Sequence, residues 1–145
     1  MSLCTDQFFA SAIKQSSDIR AKVGTRIFDP AVPVPDEELD NVEVPYIVIG
    51  NEGTTGEDST KDDVDGVDRD TISILIVESS REELAALAEK TRKVLRHAIY
   101  NPNEVGEFDF NIEDYSFSAS GVTMDINKPC DFQTLNYVCE TTYND

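Results

Sequence analysis

The sequence predicts an α+β fold, an antiparallel four-stranded sheet with one long helix and short N-terminal helices packed on one face. Three observations predict it. Two apolar runs of strand character, at 45–50 and 70–77, flank a stretch rich in acids and glycine. One amphipathic helix follows at 80–100, and two alternating segments, 110–119 and 132–143, come after it. At 145 residues the chain has the size of a single domain, 1–145.

The first element is a helix over residues 6–16, where Phe8, Phe9, Ala12 and Ile13 recur at helical spacing and Thr5 or Asp6 is placed to cap it. A second short helical turn follows, with Ser17 or Asp18 as its cap, Ile19 and Val23 on one face and Gly24 as its stop. Residues 29–45 contain Pro30, Pro33, Pro35 and Pro45. Proline fixes φ and removes a donor, so this segment reads as an extended surface connection, with Val32, Val34 and Leu39 along the body of the domain.

Pro45-Tyr46-Ile47-Val48-Ile49-Gly50 then reads as a buried strand. Residues 51–69 have almost no large apolar side chains and predict a long acidic flexible loop at the tip of a hairpin. Its second strand is 70–77, with Ile72, Ile74 and Ile76 on one face. Ser79 or Ser80 caps the long helix. Leu84, Leu87, Ala88, Thr91, Val94, Leu95, Ala98 and Ile99 form its apolar stripe, and Asn101-Pro102 ends it. Glu82 and Glu83 suit the positive end of the helix dipole. Phe110, Ile112, Tyr115, Phe117 and Ala119 alternate across an expected bulge near Glu113. In the last strand Leu135, Tyr137, Cys139, Thr141 and Tyr143 share a face. Thr134, Asn136, Glu140 and Thr142 share the other, which Val138 interrupts.

Charge bounds the function. The 29 acidic residues against 12 basic ones give −17. Such a surface repels phosphate backbones and anionic bilayers alike, which argues against direct nucleic-acid binding and against a membrane partner. The chain reads as lacking a signal peptide or an apolar run of membrane-spanning length. Cys4, Cys130 and Cys139 are odd in number and lack C-x-x-C spacing, so they predict free thiols in a reducing cytosol rather than a disulfide framework or a zinc site.

No catalytic, cofactor or metal site emerges. The single histidine, His97, sits among Arg92, Lys93 and Arg96 with no nucleophile or carboxylate placed beside it by the sequence. Asp62, Asp63, Asp65 and Asp68 surround Gly66, but the EF-hand spacing fails. With Gly66 at the sixth position, Lys61 stands at the first and Ile72 at the twelfth, where acids are needed. No phosphate-binding glycine motif occurs, and Cys4 has no histidine near it. Carboxylates are numerous, yet no acid pair can be located among them.

The order of these features resembles the tail-completion, or tail-terminator, proteins of long-tailed bacteriophages and prophages. The resemblance runs over residues 6 to 143. It rests on Gly24-Thr25-Arg26-Ile27-Phe28 after the short helices, on the prolines at 30, 33 and 35, and on the Pro45-Tyr46-Ile47-Val48-Ile49 strand. The helix from Arg81 to Ile99 and the two closing strands complete it. The acidic loop and the extreme charge depart from the pattern.

The resemblance implies a structural subunit of the virion tail, made in the bacterial cytoplasm, with no enzymatic activity and no cofactor. Its implied partners are further copies of itself in a ring, often a hexamer, together with the tail tube and the head-tail connector. DNA would pass through the channel without specific binding. The alternative is an acidic calcium- or protein-binding module without enzymatic activity, and the third reading is a small enzyme whose acid pair is hidden.

Overall fold

A computed structural model describes residues 5–30, 43–56, 68–124 and 130–143. Its elements are helices α1 (Thr5–Gln15) and α2 (Ser17–Val23), strands β1 (Ile27–Phe28), β2 (Tyr46–Gly56) and β3 (Asp68–Glu78), and helix α3 (Arg81–Tyr100). A short 3-10 turn (Pro102–Glu104) leads to β4 (Phe110–Ala119), β5 (Thr123–Met124) and β6 (Asp131–Tyr143).

The four expected strands form, but the sheet is larger than expected. Among the described residues it has six strands in the order β1-β2-β3-β6-β4, with β5 also paired to β6. The added strands β1 and β5 have two residues each, too few for a period to show in sequence. β1 is also parallel to β2, through Ile27↔Ile47 and Phe28↔Val48, so the sheet is not purely antiparallel. Parallel pairing needs a long crossover, and the proline-rich segment supplies the length. Residues 31–42, with Val32, Val34 and Leu39, lie outside the described residues.

The β2–β3 hairpin also runs further than expected. Residues 51–56 and 68–69, read from the sequence as loop, are paired strand, up to Gly56↔Asp68. Backbone hydrogen bonding holds this extension where apolar pattern is missing. A register shift between Asn51 and Gly53 absorbs one residue, and Gly53 takes φ 138, open to glycine but not to side chains. Its N–H donates to Asn51 Oδ1 at 2.9 Å. The expected bulge in β4 is present between Ile112 and Asp114.

Local capping differs in detail from the sequence reading. Thr5 and Asp6 lie inside α1 and are buried. Ser16, rather than Ser17 or Asp18, caps α2 and accepts from the Ile19 N–H at 3.3 Å. Gly24 ends α2 at φ 61, as its position suggests. Ser80 caps α3 by accepting from the Glu83 N–H at 3.2 Å.

Both α1 and α3 cover one face of the sheet, and α2 packs on them. Beneath them Ile47 and Ile49 of β2, Ile72, Ile74 and Ile76 of β3, and Leu135, Tyr137 and Cys139 of β6 are buried. They meet Phe8, Phe9 and Ile13 of α1 and Leu84, Leu87, Leu95 and Ile99 of α3. The α3 stripe is buried as the sequence predicts, with Val94 half-buried at its margin. Leu87 is 2% exposed in this layer. Leu87→Ala is therefore expected to destabilise the fold by about 2–5 kcal/mol, read by denaturant unfolding. A loss well below that range would mean that α3 does not seal the sheet.

Candidate functional site

The candidates for chemistry come first. His97 does have a carboxylate beside it, which the sequence reading missed. The turn after Asn101 folds the chain back and places Glu104 Oε2 2.7 Å from His97 Nε2. The helix end itself is held by Asn101, whose Nδ2 donates to the His97 carbonyl at 2.9 Å. Asn101-Pro102 signalled the helix end, but nothing in the sequence signalled a reversal tight enough for this pair. Both side chains are exposed, on the rim of an open cleft lined by Gln15, Ser17 and Val105. The other imidazole nitrogen lies 3.4 Å from Asn101 Nδ2. No described thiol or hydroxyl is hydrogen-bonded to the ring, so the arrangement lacks the nucleophile of a triad.

Cys130 and Cys139 are both buried, and Cys139 is a free thiol. Burial above all, and the Asp70 carboxylate second, push the Cys139 thiol up to about 12, the reverse of what a nucleophile needs. Cys4, Asp62, Asp63, Asp65 and Gly66 lie outside the described residues, and Asp68 begins β3, paired with Gly56 and Thr141. Among the described residues no cluster of three or more His, Cys, Asp or Glu side chains is placed to hold a metal.

Asp70 is the most buried acid in contact with these groups, with no exposed surface. It lies on the same face of β3 as Ile72, Ile74 and Ile76, a polar residue in a core position. Its Oδ1 accepts from Thr54 Oγ1 at 2.6 Å. Its Oδ2 accepts from the hydroxyls of Thr5 and, at 3.4 Å, Thr141. Hydrogen bonds to the charged form offset the loss of water, and the first turn of α1 adds a favourable field. The cluster is closed and joins α1, β2, β3 and β6, so it acts as a clasp rather than a reaction centre.

What the surface offers instead is contact area. The face of the sheet away from the helices is covered by no described helix. At one end it holds an apolar cluster of Phe28, Tyr46, Val77 and Cys130, packed by Val48, Leu75 and Phe132. The rows beyond are polar. Ser73 is aligned with Gly50 and Asn136, and Arg69 with Thr55 and Glu140. Strands β1 and β4 form the two edges of the sheet. Acidic side chains such as Glu52, Glu82, Glu89, Glu107 and Asp114 are exposed, while Arg92, Lys93 and Arg96 gather on the outer side of α3.

The fold has a counterpart among solved structures. A chain of the virion of a native gene transfer agent particle superposes with a TM-score of 0.58 at 12% identity, over 94% of this chain and 93% of that one. No protein-family model and no curated protein matches the sequence. The likeness is therefore one of fold, over essentially the full length of both chains.

Two outcomes follow from the buried groups. Asp70→Ala removes the acceptor that three hydroxyls share and is expected to destabilise by about 1–3 kcal/mol, whereas Asp70→Asn, which keeps the shape and one acceptor, costs less. Equal losses in chemical denaturation would show that packing alone matters. The Cys139 thiol gives a pH dependence. It holds its proton to about 12 in the folded chain against 9.0 unperturbed. Its contribution is complete below pH 9 and is lost as the pH rises from there towards 12. The unfolding free energy should fall there by about 1.4 kcal/mol per pH unit, with buried Tyr137, also shifted up, steepening the decline above pH 10. Cys139→Ala should flatten the lower part of this slope, and an unchanged slope in the variant would refute the assignment.

Proposed function

We propose that this chain is a structural subunit of a virion, and within it a tail-completion or tail-terminator protein that forms a ring at the head-tail junction. The observation that carries the proposal is the fold shared, end to end, with a chain of a gene transfer agent virion. The order of short helices, proline-rich link, hairpin, long helix and closing strands supports the finer assignment. So does a surface whose differentiated features are edges and faces rather than a reactive centre.

In this reading the subunit is not an enzyme and uses no cofactor. Its partners are further copies of itself, the tail tube and the head-tail connector, and its place is the virion tail. Two sheet edges of different direction and composition provide the unlike surfaces that a head-to-tail ring requires. The acidic exterior lets DNA pass a channel without adhering.

Subunits of charge −17 repel one another at long range. Salt shortens that repulsion, the Debye length being about 10 Å at 0.1 M, while apolar contacts persist. The expected result is a monomer or weak oligomer in dilute, low-salt solution and rings as concentration and ionic strength rise or when tail tubes are added. Light scattering across a salt series, with electron microscopy of the products, measures this. A chain that stays monomeric in concentrated, high-salt solution and ignores tail tubes would overturn the proposal. A melting temperature raised by calcium in that chain would turn the assignment to the binding module.

A further inference from the structure

A pocket between the C-terminal half of α3 and the β4 edge of the sheet has no part in the reading so far. Arg92, Arg96 and Tyr100 form one wall, and Tyr115, Phe117 and Tyr137 form the other. Its volume of 210 Å³ is below the roughly 300–1,000 Å³ that drug-sized ligands occupy. It suits one side chain or a small anion.

Its polar groups are donors without acceptors. Tyr137 is 1% exposed, and its hydroxyl has no hydrogen-bond partner. Buried hydroxyls are normally paired, so this one is an unmet donor in a residue of the pocket wall. Burial raises the pKa of this phenol, which keeps it a neutral donor at physiological pH. The Arg92 guanidinium sits over the Phe117 ring, 4.0 Å from its centroid, which fixes its position. Neither Arg92 nor Arg96 makes an ion pair with a described carboxylate.

We infer that this pocket is a carboxylate receptor, filled in the assembled protein by an Asp or Glu side chain of a second copy of this chain. The inference rests on the assembly reading above for its occupant, but not for its chemistry. Guanidiniums bind planar carboxylates with paired N–H donors, and the pocket presents two of them on one wall. The pocket opens beside β4, an edge strand, so a neighbour laid along that edge brings side chains to it. Acids are the commonest charged groups such a neighbour can offer. A nucleic-acid phosphate suits the donors less well, because the surrounding excess of acids repels the rest of its backbone. The receptor also answers the repulsion between subunits, since it makes one acid of each neighbour attractive at short range.

The test compares full-length variants by sedimentation velocity over a concentration series at high salt. Arg92→Gln/Arg96→Gln is expected to weaken self-association by about tenfold or more. Lys90→Gln/Lys93→Gln removes the same charge from the same helix outside the pocket and should have much less effect. Equal effects of the two double variants would overturn the receptor in favour of net charge alone.

A second arm titrates the dilute wild-type monomer with sodium acetate and follows the Arg92 and Arg96 side-chain N–H signals and the Tyr137 ring by NMR. Shifts that vanish in Arg92→Gln/Arg96→Gln support the receptor. If they occur in a chain that never self-associates, the carboxylate chemistry stands, and the second-copy occupant falls with the assembly reading. No shift, or preferential response to a short single-stranded oligodeoxynucleotide, overturns the carboxylate assignment.

Discussion

The sheet depends on where its last strand goes. β6 lies between β3 and β4, in register from Asp68↔Thr141 to Glu78↔Asp131 on one side and from Phe110↔Tyr143 to Ala119↔Leu135 on the other. Without it, β4 has no described neighbour and the β2–β3 hairpin has an open flank. A lone hairpin is marginal in water, and both halves of the fold become a sheet only when β6 joins them. The Asp70 clasp serves the same junction. Its carboxylate takes hydroxyls from α1, β2 and β6 at once, where an apolar residue would remove the acceptor that they share.

Much of this was legible in sequence because the signals were local. The period-two runs at Ile72–Ile76 and Leu135–Cys139 and the α3 stripe follow from what each segment must bury, and those residues are buried. The strand order was not legible, because nothing in β6 tells which of two earlier strands it separates. β1 and β5 were missed because two residues carry no period. The outer reach of the hairpin, to Gly56 and Asp68, is held by backbone pairing that no apolar residue announces.

The interaction features were less legible still. Asp70 has the parity of the isoleucines that follow it, so its burial could have been read from that parity. The sequence reading began the strand at Asp70 but placed only Ile72, Ile74 and Ile76 on its buried face. The His97–Glu104 contact needs a turn whose tightness the sequence does not state. The basic half of α3 was visible as charge, but its relation to Tyr115, Phe117 and Tyr137 depends on the position of β4 outside β6.

That position leaves a core residue with an unmet donor. Tyr137 packs against Phe9 at 5.2 Å, Phe117 at 5.1 Å and Tyr115 at 5.9 Å between ring centroids, so its ring belongs to the core. Phenylalanine would preserve that packing without burying a hydroxyl that has no partner, a burden of about 1–3 kcal/mol in the isolated subunit. Beside it, Arg92 and Arg96 face a space that none of the chain's described acids enters. In the monomer the Tyr137 hydroxyl stays unsatisfied, while Arg92 gains its stacking on Phe117. In the proposed receptor a carboxylate from outside pairs with the two guanidiniums, one of which the stacking on Phe117 already holds in place. Preorganisation of this kind lowers the cost of ordering on contact. Under the proposed receptor, the guanidiniums that the single chain leaves without a carboxylate are the ones that meet a neighbour.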